Sequence, residues 1–279
     1  TSKLSSFFSQ TLFICTFRLE TCRNLTFSLR LRQFFYTQKH CFSAISHRFC
    51  VPSHKDRRKV KNMNPIDILH LSDTHGQHKN LKSLPEADVI VHSGDFTFAG
   101  SEEEAYDFMN WFCNLPYKHK IFIAGNHDMC MYGADHIDGL SRNVHYLYNN
   151  SVVIDGIKFY GIPMFMEDCM DGNLDVFINN IPDDTDVLIT HMPPKGTCDL
   201  ANYGKGPEHR GNATLAELLK KLHPTCHLFG HEHDAYGKTI KENVIYSNAC
   251  VVDSRYNLIN NPTIININQP VGGINLVHT

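Results

Sequence analysis

Metal-binding side chains follow five short apolar segments of this sequence, one group after each segment. Alternate residues of an extended chain point the same way, so both ends of Asp73-Thr74-His75 or of His231-Glu232-His233 can reach one cavity. Imidazole nitrogen with carboxylate and amide oxygen suits Mn, Fe, Zn, Co or Ni, and a donor set without thiolate is unlike a structural zinc site. The candidate ligands are Asp73, His75, Asp95, Asn126, His191, His231 and His233.

Seven ligands are too many for one tetrahedral ion. They suit two divalent ions about 3.5–4 Å apart, which stabilise the attacking and leaving oxygens of an in-line displacement at phosphorus. Two such ions outweigh the charge of two aspartates and a hydroxide, so the centre would attract an anionic phosphoester. We therefore predict two divalent metal ions (Mn, Fe, Zn or Ni, with Mn favoured) as cofactors, and a small phosphoester as substrate.

The segments that must position these ligands have the character of buried strands. Residues 66–71, 88–92, 120–124, 186–190 and 225–229 are short, partly β-branched and bounded by Gly, Asp or Asn, which favours strands buried on both faces. Ligands of open α/β sheets bind at the carboxyl ends of the strands. The five groups should therefore converge on one rim of an α/β domain.

The remaining elements can be predicted from helical spacing and turn signals. Residues 101–115 begin with Ser101 and three acids, which is typical of a capped helix start, and residues 213–222 predict a second amphipathic helix. Residues 144–161 alternate around a turn at Asp155-Gly156, which predicts a hairpin. Residues 244–247 and 263–268 are strand-like.

Composition excludes several classes of protein. The chain has 279 residues, of which 42% are hydrophobic and 20% charged, so it can build a core and is too apolar for a disordered tail. Ten cysteines are far too few for a disulfide-built scaffold. No apolar run reaches the roughly 18 residues of a membrane-spanning helix, so we predict no membrane partner.

Charge divides the chain into two parts. Residues 1–62 carry 12 Lys and Arg against two acids, whereas residues 63–279 carry 14 against 27. We interpret 1–62 as a basic leader that is unstructured or upstream of a true start at Met63, and 63–279 as the folded domain. An organelle transit peptide and a nucleic-acid-binding segment are the alternatives. We expect a cytoplasmic protein, or an organellar one if the leader is a genuine transit peptide.

Taken in order, these motifs resemble the five motifs of the calcineurin-like metallophosphoesterase superfamily. The resemblance spans residues 66 to about 268 and implies an α/β fold, a four-layer α/β/β/α metallophosphoesterase sandwich. It also implies that one metal is held by Asp73, His75 and His233, that the second is held by Asn126, His191 and His231, and that Asp95 bridges both.

The same resemblance implies roles for the two residues after Asn126. His127 would protonate the leaving alkoxide without binding metal, and Asp128 would orient His127.

A narrower resemblance connects the chain to the metallophosphoesterase-domain subfamily, which is related to class III cyclic-nucleotide phosphodiesterases. It rests on the runs His70-Leu71-Ser72-Asp73-Thr74-His75, His191-Met192-Pro193-Pro194 and His227-Leu228-Phe229-Gly230-His231. Some animal members lose one histidine of the last motif, but this chain keeps His231 and His233. Ser/Thr protein phosphatases carry an Asp-Arg pair after the second motif, and its absence from Gly94-Asp95-Phe96-Thr97-Phe98-Ala99-Gly100 disfavours that role.

We therefore predict a metal-dependent phosphodiesterase for small substrates such as cyclic nucleotides, in which a hydroxide held by two metals attacks phosphorus. Alternatives are a phosphomonoesterase or nuclease of the same fold, or a non-catalytic scaffold. The acidic domain offers no basic track for nucleic acid, which disfavours a nuclease. Arg210 is a candidate for substrate binding, because a guanidinium matches phosphate. The oligomeric state stays open.

Histidines outside the motifs have plainer interpretations. His70, His92 and His227 lie inside the predicted strands and should be core residues with hydrogen-bond partners. His78 should lie on the surface or in a loop.

Overall fold

The computed structural model describes residues 65–267, except 83, 203 and 205. The predicted basic leader, residues 1–62, lies outside the described residues, as does residue 268 of the last predicted strand.

Strands make up most of the regular structure. They are β1 (Ile66–Leu71), β2 (Val89–His92), β3 (His119–Phe122), β4 (Val144–Tyr146), β5 (Asn150–Ile154), β6 (Ile157–Ile162), β7 (Val187–Thr190), β8 (Leu200–Ala201), β9 (Glu208–His209), β10 (Cys226–Phe229), β11 (Gly237–Lys241), β12 (Val244–Asn248) and β13 (Thr263–Ile267). The helices are α1 (Glu102–Cys113), α2 (Met166–Met170), α3 (Asn173–Asn179) and α4 (Ala213–Leu222). Short 3-10 turns occur at His78–Asn80, Met129–Met131 and His233–Ala235.

Two sheets carry the fold. The first has the order β13-β1-β2-β3-β4, with β1 to β4 parallel and β13 antiparallel at its edge. The second has the order β11-β12-β10-β7-β6-β5, in which β12, β10, β7 and β6 are parallel and both edge strands are antiparallel. A ribbon of β8 and β9 stands apart from both.

Three apolar layers hold the sheets and helices together. Alternate residues of a strand face opposite ways, and Ile66 and Ile68 pack between the two sheets while Leu69 and Leu71 pack towards α1. On the far side of the second sheet, Leu188 packs with residues of α3 and α4. The chain is therefore a four-layer α/β/β/α sandwich, as its motifs imply.

Helix α1 begins where the sequence indicates. The Ser101 side chain accepts the backbone N–H of Glu104, and the Glu104 carboxylate accepts the N–H of Ser101, which completes a capping box. The buried face of α1 consists of Ala105, Phe108, Met109 and Phe112, the helical spacing expected from the sequence.

The five predicted strands are confirmed, with ends shifted by at most two residues. The hairpin predicted over residues 144–161 is only partly correct: β5 and β6 form it, whereas β4 pairs in parallel with β3 in the other sheet. Residues 147–149 link β4 in the first sheet to β5 in the second. Leu147 is buried between the two sheets, so the apolar–polar alternation of the sequence continues through this link. Helices α2 and α3, the β8–β9 ribbon and β11 were not predicted.

His78 was predicted to lie on the surface or in a loop; it does lie in the 3-10 turn between β1 and β2, but not on the surface. It is buried against the rings of Phe108 and Trp111, with its Nε2 3.3 Å from Asp107 Oδ2. His70, His92 and His227 are fully buried, as predicted. Among the described residues, no helix has both the length and the apolar character needed to cross a membrane.

Candidate metal centre

The predicted ligands meet on one rim, at the carboxyl ends of parallel strands from both sheets. The first sheet contributes Asp73 and His75 after β1, Asp95 after β2 and Asn126 after β3. The second sheet contributes His191 after β7, and His231 and His233 after β10. The centre is thus built across the seam between the two sheets.

The first group of donor atoms surrounds a single point. His233 Nε2 lies 3.2 Å from Asp73 Oδ1 and 3.3 Å from His75 Nε2. His75 Nε2 lies 3.8 Å from Asp95 Oδ2. Ligand atoms of Asp73, His75 and His233 are close enough together to hold one ion.

The second group lies beside the first and shares Asp95. Asn126 Oδ1 lies 3.0 Å from His191 Nε2 and 2.9 Å from His231 Nδ1. His191 Nε2 lies 3.3 Å from the same Asp95 Oδ2 that faces His75. Asp95 therefore stands between the two groups of donors.

Hydrogen bonds to carbonyl groups orient three of the imidazoles. The Nδ1 atoms of His75, His191 and His233 lie 2.9–3.1 Å from the carbonyl oxygens of Thr97, Ser93 and Asp253 respectively. A carbonyl only accepts, so each Nδ1 donates, and each neutral ring presents its Nε2 lone pair to the site. Lone pairs that face one another or a carboxylate at about 3 Å repel unless a proton or a metal ion lies between them, and the donor set fits divalent ions.

Burial and neighbouring charges shift the pKa values of His191, Asp95 and His231. Burial opposes ionisation of His191, but the nearby charges of Asp95 and Asp73 outweigh it and raise its pKa to about 10. For Asp95, burial is likewise outweighed by His191, and its pKa falls to about 2. Burial prevails at His231, where it lowers the pKa to about 4.

Four of the seven predicted ligands have left-handed backbones. Asp73, His75, Asp95 and His231 have φ angles of 55°, 41°, 56° and 69°. This region is unfavourable for residues other than glycine, and such strain concentrates at functional sites. The turns after β1, β2 and β10 are therefore taken up at the ligands themselves, and before Asp95 also at Gly94, whose φ is 102°.

Two of the glycines provide space. A Cβ atom at Gly125 would lie 2.2 Å from Asp95 Oδ1, and one at Gly230 would lie 2.0 Å from Asp73 Oδ2. Neither carboxylate could keep its position beside a larger residue.

Comparison with known proteins agrees with this geometry. The family model described as calcineurin-like phosphoesterase matches residues 66–235. The chain belongs to this family. It is 30% identical over 236 residues to the human metallophosphoesterase domain-containing protein 1, covering 72% of this chain and 70% of that protein. It is 32% identical over 237 residues to a UPF0046 family protein of Caenorhabditis elegans, covering 75% of this chain and 83% of that one.

Membership of the calcineurin-like family makes this chain a metallophosphoesterase, a hydrolase of phosphoric esters that works with divalent metal ions. A crystal structure of a Thermus thermophilus protein aligns at 14% identity with a TM-score of 0.47, covering 67% of this chain and 90% of that one.

The metallophosphoesterase centre includes His127 at its edge. The backbone N–H of His127 donates to Asp95 Oδ1 at 2.8 Å, and its ring centroid lies 4.6 Å from that of His75. Its Nδ1 donates to the carbonyl of Phe98 at 2.8 Å. Ligand atoms of His127, His75 and Asp95 form a third close group, so His127 lies against two of the predicted metal ligands.

Asp128 does not orient the His127 ring by direct contact, since Phe98 supplies that hydrogen bond. Instead the buried Asp128 carboxylate accepts the backbone N–H groups of Asp95, Gly125 and Thr97, each at 2.8 Å, and it ties the loop after β2 to the loop after β3. Burial and the charge of Asp95 raise the pKa of Asp128 to about 7, although these N–H donors oppose the shift. Sequence reasoning missed this role, because the partners are backbone groups.

Arg210 directly follows β9 of the β8–β9 ribbon, and it lies about twenty residues along the chain from either His191 or His231. Its half-exposed guanidinium is 3.9 Å from Glu208 Oε2, and its backbone N–H donates to the carbonyl of Asp199.

Sequence reasoning also missed supporting groups. Cys250 Sγ lies 3.1 Å from Asp73 Oδ2, and the carbonyl of Asp253 orients His233. Neither residue belongs to a motif, and only the return of the chain after β12 brings them to the rim.

Proposed function

We propose that this metallophosphoesterase is a phosphodiesterase for small phosphoesters such as cyclic nucleotides, with two divalent metal ions, manganese favoured. The observation that carries the proposal is the pair of donor groups that meet at Asp95 Oδ2, with His127 beside them.

Seven side chains would hold the metal ions. Asp73, His75 and His233 form one group, Asn126, His191 and His231 form the other, and Asp95 belongs to both. When bound, the two ions supply positive charge that stabilises both oxygens of an in-line displacement at phosphorus.

His127 is the proposed general acid. Because its Nδ1 is held by the Phe98 carbonyl, its Nε2 is the atom that can give a proton to the departing oxygen. Its backbone bond to Asp95 fixes its distance from the metal ligands. Arg210, next to the β8–β9 ribbon, is proposed as a contact for the substrate, because a guanidinium can pair with phosphate.

The proposed partner is a small molecule, and the proposed compartment is the cytoplasm. The described cysteines are free, which agrees with a reducing compartment.

Hydrolysis of bis(p-nitrophenyl) phosphate with Mn²⁺, before and after chelation, tests the proposal. We expect turnover that stops with EDTA and returns with Mn²⁺. Parallel assays with p-nitrophenyl phosphate and with 2′,3′- and 3′,5′-cyclic nucleotides should show a preference for diesters. Turnover unaffected by chelation would refute metal dependence. Faster hydrolysis of the monoester than of the diesters would show that the protein is a phosphomonoesterase.

A further inference from the structure

Two aromatic side chains border the metal centre on the side of His127. The ring of Tyr256 lies 4.9 Å from that of His75, 6.2 Å from that of His127 and 5.5 Å from that of His233, measured between centroids. The ring of Phe98 lies 5.1 Å from that of Tyr256 and 6.4 Å from that of His127. Together they form an aromatic wall, defined here as Phe98 and Tyr256.

Phe98 is exposed although its backbone is held in place. The Phe98 residue is 51% exposed, so its ring is open to solvent at the rim. Its carbonyl accepts His127 Nδ1, and its N–H donates to Glu104 Oε1 at 3.0 Å. Packing in the core does not explain a ring that is fixed at the rim and open to solvent.

Tyr256 is held in an unfavourable backbone conformation. Its φ is +61°, which bulky side chains rarely adopt. The Asp253 carboxylate accepts the N–H groups of Arg255 and Asn257, and Gln77 donates to the Tyr256 carbonyl, so the loop is firmly fixed. Part of the Tyr256 ring packs against the core, but the same loop also orients His233 through the Asp253 carbonyl. Such strain points to a role at the site.

We propose that the aromatic wall stacks against a planar ring of the substrate, next to the oxygen that His127 protonates. This inference rests on the proposed function and narrows it: the preferred esters carry an aryl group or a nucleobase. Both wall residues are uncharged, so they add affinity for a planar ring without competing for the phosphate. Stacking of a base on an aromatic side chain changes affinity about tenfold.

Paired ligands that differ only in the ring test the wall. Isothermal titration of the Mn²⁺-loaded protein would compare phenylphosphonate with methylphosphonate, and adenosine 5′-monophosphate with ribose 5-phosphate. We expect about tenfold tighter binding of the ring-bearing member of a pair. Phe98→Leu and Tyr256→Leu keep apolar volume and remove the ring. Each variant should bring the ratio of affinities within a pair towards one, while its affinity for methylphosphonate and for ribose 5-phosphate stays as in the wild type.

The matched control is Ile240→Ala, a half-exposed apolar residue on edge strand β11, which should keep the wild-type ratio. A ratio that falls in the phenyl pair alone identifies aryl esters as the substrate class, and one that falls in the adenosine pair alone identifies nucleotides. The proposed stacking is overturned if the variants bind both members of a pair equally more weakly, or if both variants keep the wild-type ratio of affinities. The diester assay is independent: an inactive protein that still shows the ratio refutes the proposed function and leaves the wall standing.

Discussion

His127 is held by two hydrogen bonds: its backbone N–H donates to Asp95 Oδ1, and its Nδ1 donates to the Phe98 carbonyl, which leaves Nε2 for proton transfer. We expect His127→Ala to lower kcat by about 10²–10⁴-fold, the usual contribution of a general acid. The loss should be greatest for esters with poor leaving groups, because they need the proton most. Steady-state rates across a series of substituted phenyl diesters would measure this dependence.

Metal content separates proton donation from metal binding at this residue. Elemental analysis of His127→Ala should show as much metal as the wild type, and His136→Ala, at an exposed histidine, should match the wild type in rate and metal. Loss of metal from His127→Ala would show that His127 belongs to the third donor group as a ligand.

The Asp128 carboxylate accepts hydrogen bonds from backbone N–H groups in the loops after β2 and β3, and so holds these two loops together. Asp128→Asn keeps the size but turns N–H groups towards those donors, so we expect a loss of about 2–3 kcal/mol in the free energy of unfolding. Urea denaturation of the metal-free protein would measure it, with Asp138→Asn, an exposed aspartate, as the control. A variant with full stability and metal content but low kcat would instead favour the role implied by the motif, orientation of His127.

At the scale of elements, the start of α1 controls the position of Phe98 and so of His127. The Glu104 carboxylate accepts the N–H groups of Phe98, Ala99 and Ser101. Although burial opposes ionisation, these bonds lower the pKa of Glu104. One side chain therefore closes the capping box and fixes the loop that carries the aromatic wall.

We expect Glu104→Ala to lose about 1 kcal/mol of stability, the usual cost of a lost cap, and also to lower kcat. Glu103→Ala, one residue earlier in the same exposed turn, removes the same charge without the cap and should change neither quantity. Thermal unfolding and diester hydrolysis would measure the two effects. A fall in stability with unchanged kcat would show that the loop keeps His127 in place without Glu104.

The elements that carry motifs were predictable, because buried parallel strands are short apolar runs and their ends are marked by polar residues. The seven predicted ligands lie together because all of them follow such strands. The hairpin over 144–161 failed for the opposite reason: alternation persists through a link between sheets, and no local signal marks the change of sheet. Asp253 and Tyr256 were missed because the contacts that give them importance are long-range.

At the scale of the whole molecule, buried neutral histidines make stability depend on pH. Burial lowers the pKa of His227 to about 3, and its Nε2 lies 2.8 Å from Thr190 Oγ1. The unfolded chain takes up a proton below pH 6.5 while the native His227 does not, so its contribution is present above pH 6.5 and is lost as pH falls towards 3. His70 and His92 behave alike, with pKa values of about 3.

We expect His227→Gln to reduce the slope of unfolding free energy against pH by about 1.4 kcal/mol per pH unit between about pH 6 and 4. Urea titrations with EDTA present would measure the slope without effects of metal binding. His136→Gln, at an exposed position, should change the slope far less. An unchanged slope in His227→Gln would mean that the native ring is already protonated in this range.

The position of the ligands on two different sheets has a consequence for how the protein responds to substitutions in its middle layer. Metal–ligand bonds of about 2.0–2.2 Å tolerate little displacement, while the spacing of the sheets depends on side chains such as Ile68 and Leu228 that are packed between them. Overpacking there would push the sheets apart and spread the two halves of the ligand shell. Such variants would remain folded yet hold their metals weakly, so inactivation would come well before unfolding.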